Sequence, residues 1–297
     1  MMMNRINYKN WLLILVFTLA GTTIFSQDLM DMLNEDEPAK TDFTYATFKS
    51  THLINGQTIE LPPSGALNFV ISHHFGAINS GAYEFFGLDQ ANIRFGFDYS
   101  FTDWLSVGIG RSSVNKTFDG SLKAKVLRQS SGARKMPFTM TFFANTAIIS
   151  LHWQDEERTN YFSSRMQYAY QLLIARKFGS RLSLQLMPTL IHRNMVETIE
   201  DENDVWAVGA GGRFKVSNRV AVTGEYYYLL PGKTADDFQN VFSIGVDLET
   251  GGHVFQIYLT NTQGLIEEQF IPMTDGDWLD GDIFISFNIN RTFQIVK

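Results

Sequence analysis

From about residue 66 onward the apolar residues recur at every second position. Over 91–101, Ala91, Ile93, Phe95, Phe97, Tyr99 and Phe101 share one face, and Asn92, Arg94, Gly96, Asp98 and Ser100 share the other. A period of two is the mark of a strand with unlike faces. The same alternation restarts at Leu67, Leu105, Leu122, Phe138, Met166, Leu182, Trp206, Val220, Phe242, Phe255 and Ile283. The count is about twelve strands of about ten residues, the length a tilted strand needs to cross a bilayer; a soluble strand usually has about 5–6.

The links between these strands also alternate. Thr102-Asp103, Gly179-Ser180, Ser217-Asn218 and Thr250-Gly251-Gly252 are tight turns. Longer or more polar links lie at 77–89, 151–161, 194–204, 231–239 and 261–281. Short turns on one side and long loops on the other describe an antiparallel outer-membrane barrel with the short side in the periplasm. An even strand number returns both ends of the chain to that side. The fold class expected is therefore all-β, a single transmembrane barrel at 65–297. The competing reading is a soluble exported β protein, against which the strand length and the outward Phe, Tyr and Trp count.

Residues 1–26 carry an address. Arg5 and Lys9 precede an apolar run from Trp11 to Phe17, and small and polar residues follow up to Ser26-Gln27. That is a secretory signal cut after Ser26, with an apolar core too short to span a bilayer. Residues 27–64 form a leader holding a Gly56 turn and Pro62-Pro63. It reads equally as a periplasmic arm, a plug or a partner-binding segment.

Composition narrows the chemistry. The 297-residue chain has no Cys, which excludes disulfide scaffolds, thiolate metal sites and cysteine nucleophiles. A net charge of -7 argues against nucleic acid as the partner. The six His are scattered without an i,i+2 or i,i+4 pair, so no metal site and no cofactor are expected. His73 and His74 are adjacent on one strand and point to opposite sides, His74 into the lumen and His73 toward lipid. The glycines at 108, 110, 209 and 211 sit within strands with no helix after them, so they read as lumen-packing residues rather than phosphate loops.

The lumen-facing parity carries the candidate site: Arg94, Asp98, Lys123, Lys125, Arg165, Arg213, Lys215, Glu225, Asp247 and His74. Basic residues outnumber acidic ones on that face. The acids gather elsewhere, in the leader (Asp28, Asp31, Glu35, Asp36, Glu37) and in the links at 194–204 and 275–282. Basic rings bias a pore toward anions; paired charges in a closed lumen are the plainer explanation.

The stretch Phe69-Val70-Ile71-Ser72-His73-His74-Phe75-Gly76 resembles the signature of a Bacteroidota β-barrel family, domain of unknown function 5777. Thr44–Lys49, Asn55–Glu60, Gly87-Leu88-Asp89 and Lys116–Gly120 are similar to it as well. The resemblance covers roughly 43–293 and implies an outer-membrane barrel with no established activity.

The functional expectation is a narrow pore or binding barrel for a small, anion-leaning solute. Its partners are outer-membrane lipid, the solute and other envelope proteins. The alternative is a non-conducting structural or accessory barrel that docks partner proteins. A hydrolase with a Ser–His dyad is a third reading, but Ser72 points away from His73.

Overall fold

The alternating segments pair in chain order and close on themselves. In the computed structural model, twelve strands form a closed antiparallel barrel. The described residues are 40–153, 156–157, 159–232, 234–235 and 238–296. The export signal expected at 1–26 and the acidic part of the expected leader lie outside them.

A short strand, β1 (Thr41–Phe43), precedes the barrel. The wall then runs β2 (Ala66–Ala77), β3 (Ala91–Thr102), β4 (Leu105–Ser112) and β5 (Phe118–Leu127). A three-residue strand, β6 (Ser130–Gly132), stands apart and pairs with β1. The wall continues with β7 (Thr139–Ile148), β8 (Met166–Lys177), β9 (Leu182–Arg193), β10 (Asp204–Lys215) and β11 (Val220–Leu229). It ends with β12 (Val241–Thr250), β13 (His253–Thr260) and β14 (Phe284–Gln294), and β14 pairs with β2 to close the ring. Closure removes both sheet edges, a requirement for strands in lipid.

The expected outward face is outward. Phe95, Phe97, Tyr170, Trp206, Tyr226, Tyr228, Phe242 and Phe293 are all exposed on the wall. Arg291 shares that face, and its guanidinium lies 4.7 Å from the ring centre of Phe293. It pairs with His253 beside the 251–252 turn, so its charge reaches the interface along an aromatic neighbour.

The link pattern holds with two exceptions. The link at 113–117 is a tight turn on the long-loop side. The link at 128–138 is long on the short-turn side, because it holds β6. There β1 and β6 cap the rim, and Arg128 lies over Phe43 and Tyr45 at 4.8 and 4.3 Å.

The barrel interior differs from the polar lumen that the alternation suggested. Phe143, Leu173, Met187, Ile191, Val205 and Tyr227 point inward and are buried. They belong to β7–β11, so an apolar cluster gathers on that side of the lumen, among buried polar groups such as Gln171, Gln185 and Glu225. The opposite side, from β12 through β14 to β5, carries Asn68, His74, Arg94, Asp119, Lys123, Asp247, Gln256 and Asn288.

Candidate functional site in the barrel lumen

Two segments of the chain fill this lumen. The first is the leader. Leu53 N–H donates to Gly56 O at 2.8 Å, Thr58 N–H donates to Thr51 O at 2.9 Å, and His52 bridges Gln57. These bonds close a hairpin over 51–58 whose turn is Asn55-Gly56, a dipeptide suited to tight reversal. The hairpin enters from the short-turn end, where Pro62 and Pro63 lead into β2.

The hairpin is amphipathic, and the lumen meets it with both apolar and polar side chains. Phe48, Leu53 and Ile59 join the apolar cluster of β7–β11. Leu53 lies over Gly211, where any Cβ would meet its methyl group. Gly56 lies against the Tyr227 hydroxyl with equally little room. The glycine read as lumen packing at 211 therefore makes space for the leader.

The polar face takes up the predicted site residues. Lys123 Nζ donates to the carbonyls of Thr51, Thr58 and Glu60 at 3.0, 3.1 and 3.3 Å. Glu225 accepts from Asn55 N–H at 2.8 Å and from Gly56 N–H at 3.3 Å. Gln256 donates to Leu53 O and Asn288 donates to Ile54 O, both at 2.8 Å. Gln185 holds the hairpin from the far side, donating to Gln57 O at 2.7 Å and accepting from Ile59 N–H at 3.0 Å. Buried backbone groups need such partners, and here the barrel wall supplies them.

The remaining predicted residues fall into place around this contact. Arg94 Nε donates to Asp119 at 2.9 Å, deep in the lumen. Asp98 accepts from the Thr51 hydroxyl at 3.4 Å. Arg213 lies between Asp247 at 3.5 Å and Glu249 at 2.5 Å, and Lys49 of the leader reaches Glu249 at 3.1 Å. His74 bonds Tyr258 Oη at 3.0 Å and Thr262 O at 3.1 Å. Lys125 is half-buried nearer the rim, 4.0 Å from Glu60.

Two candidates lie at the rims. Arg165 ends a helical turn, Phe162–Arg165, at the long-loop rim. It bonds Ile149 O at 2.8 Å and stacks 3.8 Å over Trp153. The alternation that made it a lumen residue does not extend past the strand start at Met166. Lys215 is the last residue of β10 and lines a rim cleft with Arg181.

The second insert comes from the long-loop end, and the alternation gives no sign of it. Residues 261–274 fold into the barrel and carry a single helical turn, α1 (Glu267–Phe270), against β8 and β9. Phe270 meets Tyr227 edge-on, with ring centres 5.2 Å apart at 69°. Glu268 accepts from Asn145 at 3.0 Å, and Gln269 donates to the Thr117 hydroxyl at 3.1 Å. Both inserts thus meet at Tyr227.

Glu267 and Glu268 are fully buried, and each leaves one carboxylate oxygen without a partner. Burial pushes Glu267 up to about 7, against the pull of Arg94 and Lys123 and with the push of Asp119. Burial also pushes Glu268 well above the usual carboxylate range, and neighbouring Glu267 adds to it. A folded value above the unfolded one, about 4.3, means stability that is complete below about 4.3 and is lost as pH rises through about 7. The 261–274 loop should therefore seat best in acid. Amide exchange at Gln269, Phe270 and Ile271, corrected for intrinsic rate, should speed up between about pH 5 and 8. Glu267→Gln with Glu268→Gln should flatten that dependence. An unchanged slope in the double variant would contradict the assignment.

Among the described residues, no group of three or more His, Asp or Glu side chains converges as a metal ligand set.

A family model described as a membrane-bound beta barrel domain, DUF5777, matches residues 48–293. The chain belongs to the DUF5777 family. The matched region begins at Phe48, so the lumen hairpin is part of the family domain as well as the wall. No curated protein matches the chain. Among solved structures it is similar to the NanC porin, with 8% identity and a TM-score of 0.48 over 76% of this chain and 98% of that one. It is similar also to the KdgM porin, with 7% identity and a TM-score of 0.44 over 77% and 98% of the two chains. A third is the outer membrane protein Omp33 of Acinetobacter baumannii, with 7% identity and a TM-score of 0.42 over 80% and 100%. The DUF5777 barrel is an outer-membrane protein whose apolar wall faces lipid.

Proposed function

We propose that this DUF5777 chain is a self-plugged, non-conducting barrel that works as a structural or accessory element of the outer membrane. Its export signal is 1–26, its leader 27–64 and its barrel 65–297. The short-turn rim is periplasmic, and the β1–β6 cap with Phe43, Tyr45 and Arg128 presents a docking face to envelope proteins there. The observation that carries the reading is the use of Lys123. Its ammonium is committed to three carbonyls of the hairpin, where an anion pore would leave it facing water. Glu225, Gln256, Asn288 and Gln185 are committed in the same way.

A second reading keeps the pore but gates it. Polar bonds rather than a large apolar surface hold one face of the hairpin, and its entry lies at the periplasmic mouth. Withdrawal would then uncover Arg94, Lys123 and Arg213, a basic lining that favours anions. Planar-bilayer recording separates the two. The full chain should give no steady conductance, and a chain lacking 48–60 should conduct with anion preference. Steady conductance from the full chain at rest would overturn the closed-barrel reading.

A further inference from the structure

The short-turn rim carries charge of one sign along half of the ring. In the segments 125–139, 176–182 and 213–220 every charged residue is basic. The strand ends in these segments belong to β5, β7, β8, β9, β10 and β11, which are consecutive neighbours in the wall. This runs against the chain as a whole, whose net charge is -7 and whose acids gather in the links of the opposite rim. The β1 strand adds one acid, Asp42, on the cap.

Hydrogen bonds fix the row from one segment to the next. Gln129 of the 128–138 link donates from Nε2 to Lys177 O at 3.0 Å and accepts from Lys177 N–H at 2.9 Å. Lys177 Nζ donates to Tyr45 O at 2.9 Å, which joins the row to the β1–β6 cap. Lys215 N–H donates to Arg181 O at 2.8 Å. Lys177 and Lys215 share their faces with Ala175 and Arg213, which are buried in the lumen. Arg181 and Arg219 are exposed at the turns beyond the strand ends, and Arg134 and Lys135 are exposed in the 128–138 link. The row thus lines the mouth of the barrel rather than its lipid-facing wall.

These charges lack partners of opposite sign. Among the described residues no carboxylate lies within ion-pair distance of Arg134, Lys135, Lys177, Arg181, Lys215 or Arg219. Glu249, at the end of the row, is taken by Arg213 and Lys49. Like charges gathered on one surface repel each other and raise the local concentration of anionic partners. A cleft of about 460 Å³ opens within the row, where Arg181 and Lys215 stand with the hydrogen-bonding side chains of Ser180, Ser217 and Asn218.

We infer that this row docks an extended acidic segment of an envelope protein; the inference rests on the accessory-barrel reading and names the chemistry of its partner. From the end of β7 to that of β11 the row crosses four interstrand steps, about 19 Å, the length of about six extended residues. The cleft takes a carboxylate between Arg181 and Lys215, and exposed Tyr45 beside Arg128 offers an aromatic contact at the other end. Lipid headgroups surround the wall, whereas Lys177 and Lys215 face the mouth. A second copy of the chain in the same membrane carries its acidic links at the opposite rim, across the bilayer.

Fluorescence anisotropy of the full chain in detergent tests this, with a labelled ten-residue peptide alternating Glu and Ser and a control alternating Gln and Ser. At about 50 mM salt the acidic peptide should bind at least tenfold more tightly, the scale of several exposed ion pairs acting together. At about 1 M salt, where the Debye length is about 3 Å, the preference should vanish. Arg181→Gln with Arg219→Gln should weaken acidic binding about tenfold, and Arg111→Gln with Lys116→Gln at the opposite rim should leave it unchanged. Heat-modifiable gel mobility checks that each variant is a folded barrel. Equal binding of the two peptides would overturn the inference, as would an equal loss in the opposite-rim variant, which would reduce the effect to net charge. Binding that persists in phosphatidylcholine nanodiscs but is lost in phosphatidylglycerol nanodiscs would assign the row to headgroups and overturn it too. Steady conductance of the full chain would end the accessory reading whatever the peptide does, while a closed barrel without peptide preference would end this inference alone.

Discussion

Replacing Lys123 by Met frees the lumen hairpin, while replacing Lys125 by Met leaves it in place. The two lysines are two residues apart on β5 with the same parity, but their surroundings differ. Lys123 is buried and donates to three hairpin carbonyls. Each buried acceptor left without a partner costs about 1–3 kcal/mol. A loss of only about 2.8 kcal/mol raises the open population about a hundredfold. Lys125 is half-buried and lies 4.0 Å from Glu60, and an ion pair of that kind contributes about 0–1 kcal/mol. Amide exchange at Leu53, Asn55 and Thr58 should accelerate strongly in Lys123→Met and little in Lys125→Met. Equal behaviour of the two variants would show that the hairpin is not held by Lys123.

Truncating Tyr227 to Ala should loosen both lumen inserts at once. The side chain is fully buried; its hydroxyl donates to Met187 Sδ at 3.2 Å, its ring meets Phe270, and Gly56 packs on the hydroxyl. Removing a buried aromatic side chain costs about 3–5 kcal/mol, part of it for the cavity left behind. Because hairpin and loop share this one residue, that cost falls on both. The wall should survive, since its ladder bonds do not involve the side chain. Limited proteolysis of one sample should show faster cleavage in 51–58 and in 261–274. Cleavage in one segment alone would mean that the inserts are seated independently.

The wall is legible in the sequence because lipid imposes a simple rule on it. Apolar residues at every second position over about ten residues have few other uses, and Phe95, Phe97, Trp206 and Phe242 stand where that rule puts them. The lumen is less legible because alternation by itself speaks only of an apolar outside. Runs such as Tyr226-Tyr227-Tyr228, Phe142-Phe143 and Leu172-Leu173-Ile174 break a strict period of two. No pleat can turn all three tyrosines outward, so Tyr227 must face in, and strands apolar on both faces signal packing on both sides. The hairpin turn at Asn55-Gly56 is visible in the sequence, but its place inside the barrel is not, because it rests on partners more than about 100 residues away. Arg165 departs from expectation for a different reason: it precedes the strand start at Met166, where parity does not fix a side chain's direction.

The central claim is that residues 47–60 occupy the lumen, and a disulfide measures it directly. Asn55 Nδ2 lies 2.9 Å from Ser243 Oγ on β12. The chain has no Cys of its own, so a pair introduced by Asn55→Cys and Ser243→Cys has no competitor. In outer-membrane vesicles under mild oxidation, the two thiols should join within one chain at high yield, with the barrel still heat-modifiable on a gel. The thiol introduced at position 55 should also resist a membrane-impermeant reagent before oxidation. A folded barrel in which the pair stays reduced and position 55 labels freely would place the leader outside the lumen and contradict the account.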